Sequence, residues 1–163
     1  MAIEGQQWMS FRPGDGTDTI TVGGDPSLIR LDMSDGNGIN VDLSLASNQI
    51  IDVGFGNAET ITGTTLVHEI RGSGFDDTVT FSDTGDSYRY KSGSNTLIGG
   101  AGNDRLRYDV GQVQRIEADL QGGQVRVVTD SSVFTDTVSS IENLRGSGGG
   151  DLMIADGSGV RPA

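Results

Sequence analysis

Cut into nines, residues 72 to 107 read GSGFDDTVT, FSDTGDSYR, YKSGSNTLI and GGAGNDRLR. The cut puts Asp77, Asp86, Asn95 and Asp104 in one column and Val79, Tyr88, Leu97 and Leu106 in another. Extended upstream through GFGNAETIT (54 to 62) and GTTLVHEIR (63 to 71), the apolar column begins Ile61, Ile70 and continues unbroken to Leu106. A constant nine-residue spacing belongs to a repeat rather than to local propensity, so the chain must be assembled from small stacked units. Each unit has a Gly/Ser/Asp-rich half suited to a turn, then a short strand such as TIT, EIR, TVT, TLI or RLR. The lone apolar residue of such a strand points one way and its polar neighbours the other. Two units make one turn of 18 residues with a strand on each side, and stacked turns bury the apolar column between two sheets. The pattern predicts an all-β fold: a right-handed parallel β-solenoid, elongated, whose rungs contact only their neighbours.

A longer periodicity overlies the first. RLDM (30 to 33) and INVDL (39 to 43) return as RYDV (107 to 110) and IEADL (116 to 120), and VHEIRGSGFDDTV (67 to 79) returns as IENLRGSGGGDLM (141 to 153). The chain therefore reads as one domain, 1 to 163, with an internal duplication of about 30 to 79 onto 107 to 153, the best nonapeptide array covering 54 to 107. Three nonapeptides follow the first copy and only ADGSGVRPA the second, which suggests an array that would continue further. Segments 31 to 53 and 108 to 136 match the frame poorly and are expected to be irregular strands outside the roll. Composition agrees with turns and close backbone approach rather than helices, since 26 of 163 residues are Gly.

GGAGNDRLR (99 to 107) fits a G-G-x-G-x-D-x-U-x nonapeptide with U apolar. On this motif and its in-register neighbours over 54 to 107, with weaker echoes at 13 to 21 and 137 to 154, the chain resembles the RTX, or haemolysin-type, calcium-binding repeat proteins. ENLRGSGGGDL is similar to the segment that precedes such arrays. The resemblance implies a calcium-binding β-roll and a secreted protein exported by a type I route with its signal at the far C-terminus. It also implies ligand carbonyls near Gly72, Gly74, Gly99 and Ala101 beside the acidic side chains.

Physics alone also favours a cation. Units on one flank recur every 18 residues, which stacks Asp77 near Asn95 and Asp86 near Asp104 at the roughly 4.8 Å spacing of paired strands. Like charges that close repel by about 1 kcal/mol in water and more at lower dielectric, and an ion between them turns repulsion into coordination. Two sites are expected, at Asp86/Asp104 and Asp77/Asn95, with a weaker one at Glu59/Asp77. Asp18 and Asp151 hold the motif position but have no acidic partner 18 residues away. Ser73, Phe75, Phe81, Tyr90 and Lys91 stand where the pattern has glycines, and His68 stands in the acidic column.

The ninth column of alternate units holds Arg71, Arg89 and Arg107, with Arg12 and Arg30 at the same spacing near the start. Stacked, they form a guanidinium ladder, read either as a solvated face or as a docking strip for a linear polyanion such as an acidic polysaccharide. The opposite face carries Thr60, Thr62, Thr78, Thr80 and Thr96, ordinary strand formers. A formal charge of −12 repels nucleic acid, and no apolar run approaches a membrane span. With no Cys and a single His, no catalytic constellation is legible, and the expected protein is a scaffold rather than an enzyme. MAIEGQQWMS does not read as a secretory signal. Asp25–Pro26 is a candidate for calcium-triggered self-cleavage, and Trp8 and Phe11 are expected to cap the first rung.

Overall fold

A three-residue strand with one apolar side chain buries it only when neighbouring strands place theirs in line, so isolated nonapeptides are unstable and stacking decides the structure. The structure, a computed structural model, describes residues 8–12, 17–22, 28–45, 49–52, 58–63 and 67–154. Within them the regular structure is all strand: β1 (Trp8–Phe11), β2 (Thr19–Thr21), β3 (Leu28–Asp32), β4 (Asn40–Asp42), β5 (Gln49–Asp52), β6 (Ala58–Thr62), β7 (Val67–Arg71), β8 (Thr78–Thr80), β9 (Ser87–Arg89), β10 (Thr96–Ile98), β11 (Arg105–Arg107), β12 (Val113–Asp119), β13 (Gln124–Thr129), β14 (Val133–Ser139), β15 (Asn143–Arg145) and β16 (Leu152–Ile154).

One sheet runs β1-β3-β7-β9-β11-β15, with every pair parallel. The other runs β16-β12-β13-β14-β10-β8-β4-β5-β6-β2. In the middle of the stack, Val79 lies beside Leu97 and Tyr88 beside Leu106, a register of 18 residues per turn. Elsewhere the turn is longer, with Asn40 beside Thr78 and Thr96 beside Thr137. The extra residues form antiparallel runs, β4-β5-β6 and β12-β13-β14, inside the second sheet. Strands β4 and β5 of the segment 31 to 53 and β12 and β13 of the segment 108 to 136 thus widen that sheet instead of lying outside it. For β13 the cause is its side-chain pattern: QVRVVT alternates with period two, and Val125 and Val127 are buried.

The strand order also repeats. β1-β3-β7 recurs as β9-β11-β15, and β8-β4-β5-β6-β2 as β16-β12-β13-β14-β10.

The core lies between the sheets. Ile61, Ile70, Val79, Tyr88, Leu97 and Leu106 are at most 1 % exposed. A second inward column follows two residues after the first, holding Met33, Leu43, Phe81, Tyr90 and Tyr108, all buried. Phe81 and Tyr90 therefore stand in place of glycine because this position faces the core. Where the unit keeps its glycine, a neighbour fills the space: a Cβ on Gly72 would sit 2.1 Å from Tyr88 Oη. Trp8 does not cap the stack; it is 42 % exposed, with the Arg30 guanidinium 4.3 Å above its ring, whereas Phe11 packs partly buried against the core. Among the described residues no helix is long and apolar enough to cross a membrane.

Candidate functional site

The acidic column faces inward at the corners between sheets, and Asp77, Asp86, Asn95 and Asp104 are all at most 3 % exposed. A buried carboxylate must be satisfied by donors, and the local sequence supplies the first one. In each unit the N–H four residues upstream donates to one carboxylate oxygen: Ser73 to Asp77 Oδ2 at 2.9 Å, Ser82 to Asp86 Oδ2 at 2.6 Å, Gly100 to Asp104 Oδ2 at 3.0 Å and Ser147 to Asp151 Oδ2 at 2.9 Å. The other oxygen reaches the adjacent turn of the chain. Asp77 Oδ1 accepts from the Ile39 N–H (3.1 Å), Asp104 Oδ1 from the Asp86 N–H (2.8 Å) and Asp151 Oδ1 from the Ile116 N–H (2.8 Å). Asn95 Oδ1 serves the Asp77 N–H at 2.9 Å, and His68 Nδ1 takes the Ile29 N–H at 3.3 Å. The column thus ties each turn to the next by side chain to backbone bonds.

Asp86 breaks the rule. Its Oδ1 is buried and has no hydrogen-bond partner among the described residues. Asp104 stacks beside this carboxylate through the Asp86 N–H. Burial pushes the Asp86 carboxyl above its usual range, against the lowering effect of the Ser82 hydrogen bonds. Burial does the same to Asp104, and the charges of Asp86 and Glu142 add to it.

Asp77 is the opposite case. Ser73 Oγ (2.6 Å) and Tyr88 Oη (2.6 Å) join its two backbone donors, so four donors occupy the carboxylate. Asn95 is similarly committed, its Nδ2 donating to Asp136 Oδ1 at 2.9 Å. The Asp77/Asn95 pair is therefore brought together but leaves no free oxygen for an ion. Among the described residues no three acidic or histidine side chains converge into a ready-made metal cluster.

The pattern glycines divide by geometry. A Cβ on Gly99 would fall 1.7 Å from the Ser140 carbonyl oxygen and 2.9 Å from Asp104 Oδ2, whereas Gly74 has nothing within 4 Å. Ala101 N–H donates to Asp83 Oδ1 at 3.0 Å. The side chain of Glu59 and the Asp25–Pro26 pair lie outside the described residues, while Asp18 sits just before β2.

Two carboxylates outside the nonapeptide array extend the columns. Asp136, fully buried, accepts from the Asn95 N–H (2.8 Å) and from Tyr108 Oη (2.7 Å); burial pushes its carboxyl up to about 7. Glu142 Oε2 takes the Asp104 N–H at 2.9 Å. Both were signalled in the sequence, for Asp136-Thr137-Val138 repeats Asp77-Thr78-Val79 and Glu142-Asn143-Leu144 resembles Asp104-Arg105-Leu106.

On the outer face of the six-stranded sheet, one register row reads Asp32, Arg71, Arg89, Arg107, Arg145. Glu69, only 2 % exposed in side-chain terms, sits among Arg30 (2.5 Å), Arg107 (3.1 Å) and Arg71 (3.5 Å). Asp109 joins Arg107 (2.9 Å) to Arg145 (3.2 Å), and Asp32 joins Arg12 (3.2 Å) to Arg71 (3.4 Å). Among the described residues Arg89, in the middle of the row, is left without an ion pair, and its buried Nε has no acceptor. Compared with known proteins, the chain matches no protein family and no curated protein.

Proposed function

We propose that this chain is a calcium-binding parallel β-solenoid of the RTX β-roll kind, a secreted, non-enzymatic module that gains stability when calcium binds. The parallel stacking at 18 residues per turn and the inward acidic column support the architecture. The single observation that carries the ion is the buried Asp86 Oδ1 beside Asp104, without a hydrogen-bond partner among the described residues. A desolvated carboxylate oxygen with free lone pairs is costly alone and is a fitting ligand for a hard cation. Asp86 with Asp104 would hold the ion, and backbone carbonyls would complete its oxygen shell. When bound, calcium supplies positive charge that keeps the two carboxylates ionised and so links folding to the extracellular ion concentration.

Calorimetric calcium titration of chelator-stripped protein tests this. Wild type should bind calcium; Asp86→Asn and Asp104→Asn should each weaken binding at least tenfold, and Asp77→Asn should not. Unchanged calcium affinity in Asp86→Asn, or no heat at all in wild type, would sink the reading.

A second reading concerns the arginine row. Four guanidiniums in register, with Arg89 free of ion pairs among the described residues, favour a strip that takes carboxylate or sulfate groups of an acidic polysaccharide, calcium then being only structural. Salt-sensitive retention on a polyuronate gel, lost in Arg89→Ala, is the expected result. Retention equal in variant and wild type refutes it.

A further inference from the structure

The repeated strand order contains an interface already built once within the chain. At the centre of the stack β9 adds to the edge of β7, with Glu69 beside Ser87, Ile70 beside Tyr88 and Arg71 beside Arg89. At the same level β10 adds to β8, with Val79 beside Leu97. The strands that receive there have counterparts at one end of the stack: among the described residues β15 ends the six-stranded sheet and β16 the ten-stranded one. Asn143, Leu144 and Arg145 correspond to Glu69, Ile70 and Arg71, and Leu152, Met153 and Ile154 to Thr78, Val79 and Thr80. The strands that dock have counterparts at the other end. β1 and β2 terminate the two sheets, and Ser10-Phe11-Arg12 and Thr19-Ile20 match Ser87-Tyr88-Arg89 and Thr96-Leu97.

The receiving end is apolar where the internal junction is covered. Val79 is fully buried under Leu97, but its counterpart Met153 is 40 % exposed, with Leu152 at 56 % and Ile154 at 50 %. A cleft of about 940 Å³ opens there, with Val113, Leu144, Arg145, Asp151 and Met153 among its lining. An open sheet edge with exposed apolar side chains is a template for another strand.

We propose that this end binds the β1 and β2 end of a second copy of the chain. Phe11 of the second copy pairs with Leu144 as Tyr88 pairs with Ile70, and Ile20 covers Met153 as Leu97 covers Val79. Ser10 comes beside Asn143 and Arg12 beside Arg145, continuing the arginine row from one copy into the next. Donor and acceptor surfaces differ, so the contact is head-to-tail and does not close on itself, giving open chains of copies.

The test uses the intact protein and the absence of native cysteine. Across one molecule Ser10 and Asn143 are separated by five strand spacings, about 24 Å at about 4.8 Å each, beyond reach of a disulfide. Mild oxidation of a Ser10→Cys/Asn143→Cys variant should give a ladder of dimers, trimers and longer covalent chains, while each single variant stops at dimer or below. Sedimentation of wild type should show mass rising steadily with concentration, and Met153→Lys, its circular dichroism unchanged, should associate at least tenfold more weakly. A monomer mass from micromolar to millimolar protein with no ladder overturns the proposal, as does association untouched by a folded Met153→Lys. Should Met153→Lys fail to fold, the cysteine ladder decides. The runs are made with calcium and with chelator, so a protein that binds no calcium yet forms the ladder separates this inference from the calcium reading.

Discussion

Asp136 offers a quantitative handle on the buried acidic column. It is fully buried, and burial pushes its carboxyl from 3.8 up to about 7. Because the folded pKa is raised above the unfolded one, the protonated carboxyl favours folding below about pH 4, and that contribution is lost as pH rises through about 7. A shift of about three units at about 1.4 kcal/mol each amounts to about 4 kcal/mol between the two limits. Asn in its place keeps an oxygen for the Asn95 N–H and presents an amide to Tyr108 Oη, but carries no charge. The Asp136→Asn variant should therefore gain stability relative to wild type as pH rises from 5 to 8, by about 2–4 kcal/mol. Urea unfolding followed by circular dichroism, in chelator and at matched pH, reads the difference, in which the titrating groups that do not interact with Asp136 cancel. A stability difference constant within about 0.5 kcal/mol over that range would refute the argument.

Further perturbations probe separate parts of the structure. Leu106 is fully buried in the central column, and Leu106→Ala should cost about 2–5 kcal/mol in urea unfolding. Gly99→Ala must displace the Ser140 carbonyl and should destabilise by about 2 kcal/mol or more, whereas Gly74→Ala, into open space, should stay within about 0.5 kcal/mol; equal effects would contradict the packing described. Arg89 has no ion pair among the described residues, so Arg89→Ala should leave the melting temperature nearly unchanged while abolishing any retention on acidic polysaccharide.

The central apolar column was legible because period and burial coincide: one inward residue every nine can be seen without knowing its partners. Phe81 and Tyr90 were legible only as departures, since the nine-residue frame names a glycine where the stack has a second inward column. β13 escaped that frame altogether, because its signal has a period of two. The acidic column was visible as a position but not in its role. What occupies Asp77 is the Ile39 N–H and the Tyr88 hydroxyl, groups distant in sequence that only the folded register brings there. For the same reason Asp77 and Asp86, which share one column of the repeat, differ in structure: the adjacent turn supplies a donor to one and, among the described residues, none to the other.

The most direct test of the calcium account is a crystal grown with calcium, with an anomalous difference map computed about the acidic columns. The account predicts a peak at the usual calcium–oxygen distance of about 2.3–2.6 Å from Asp86 Oδ1, and none beside the fully occupied Asp77 carboxylate. An ordered Asp86 with no peak, its Oδ1 bonded only to protein or water, would contradict it.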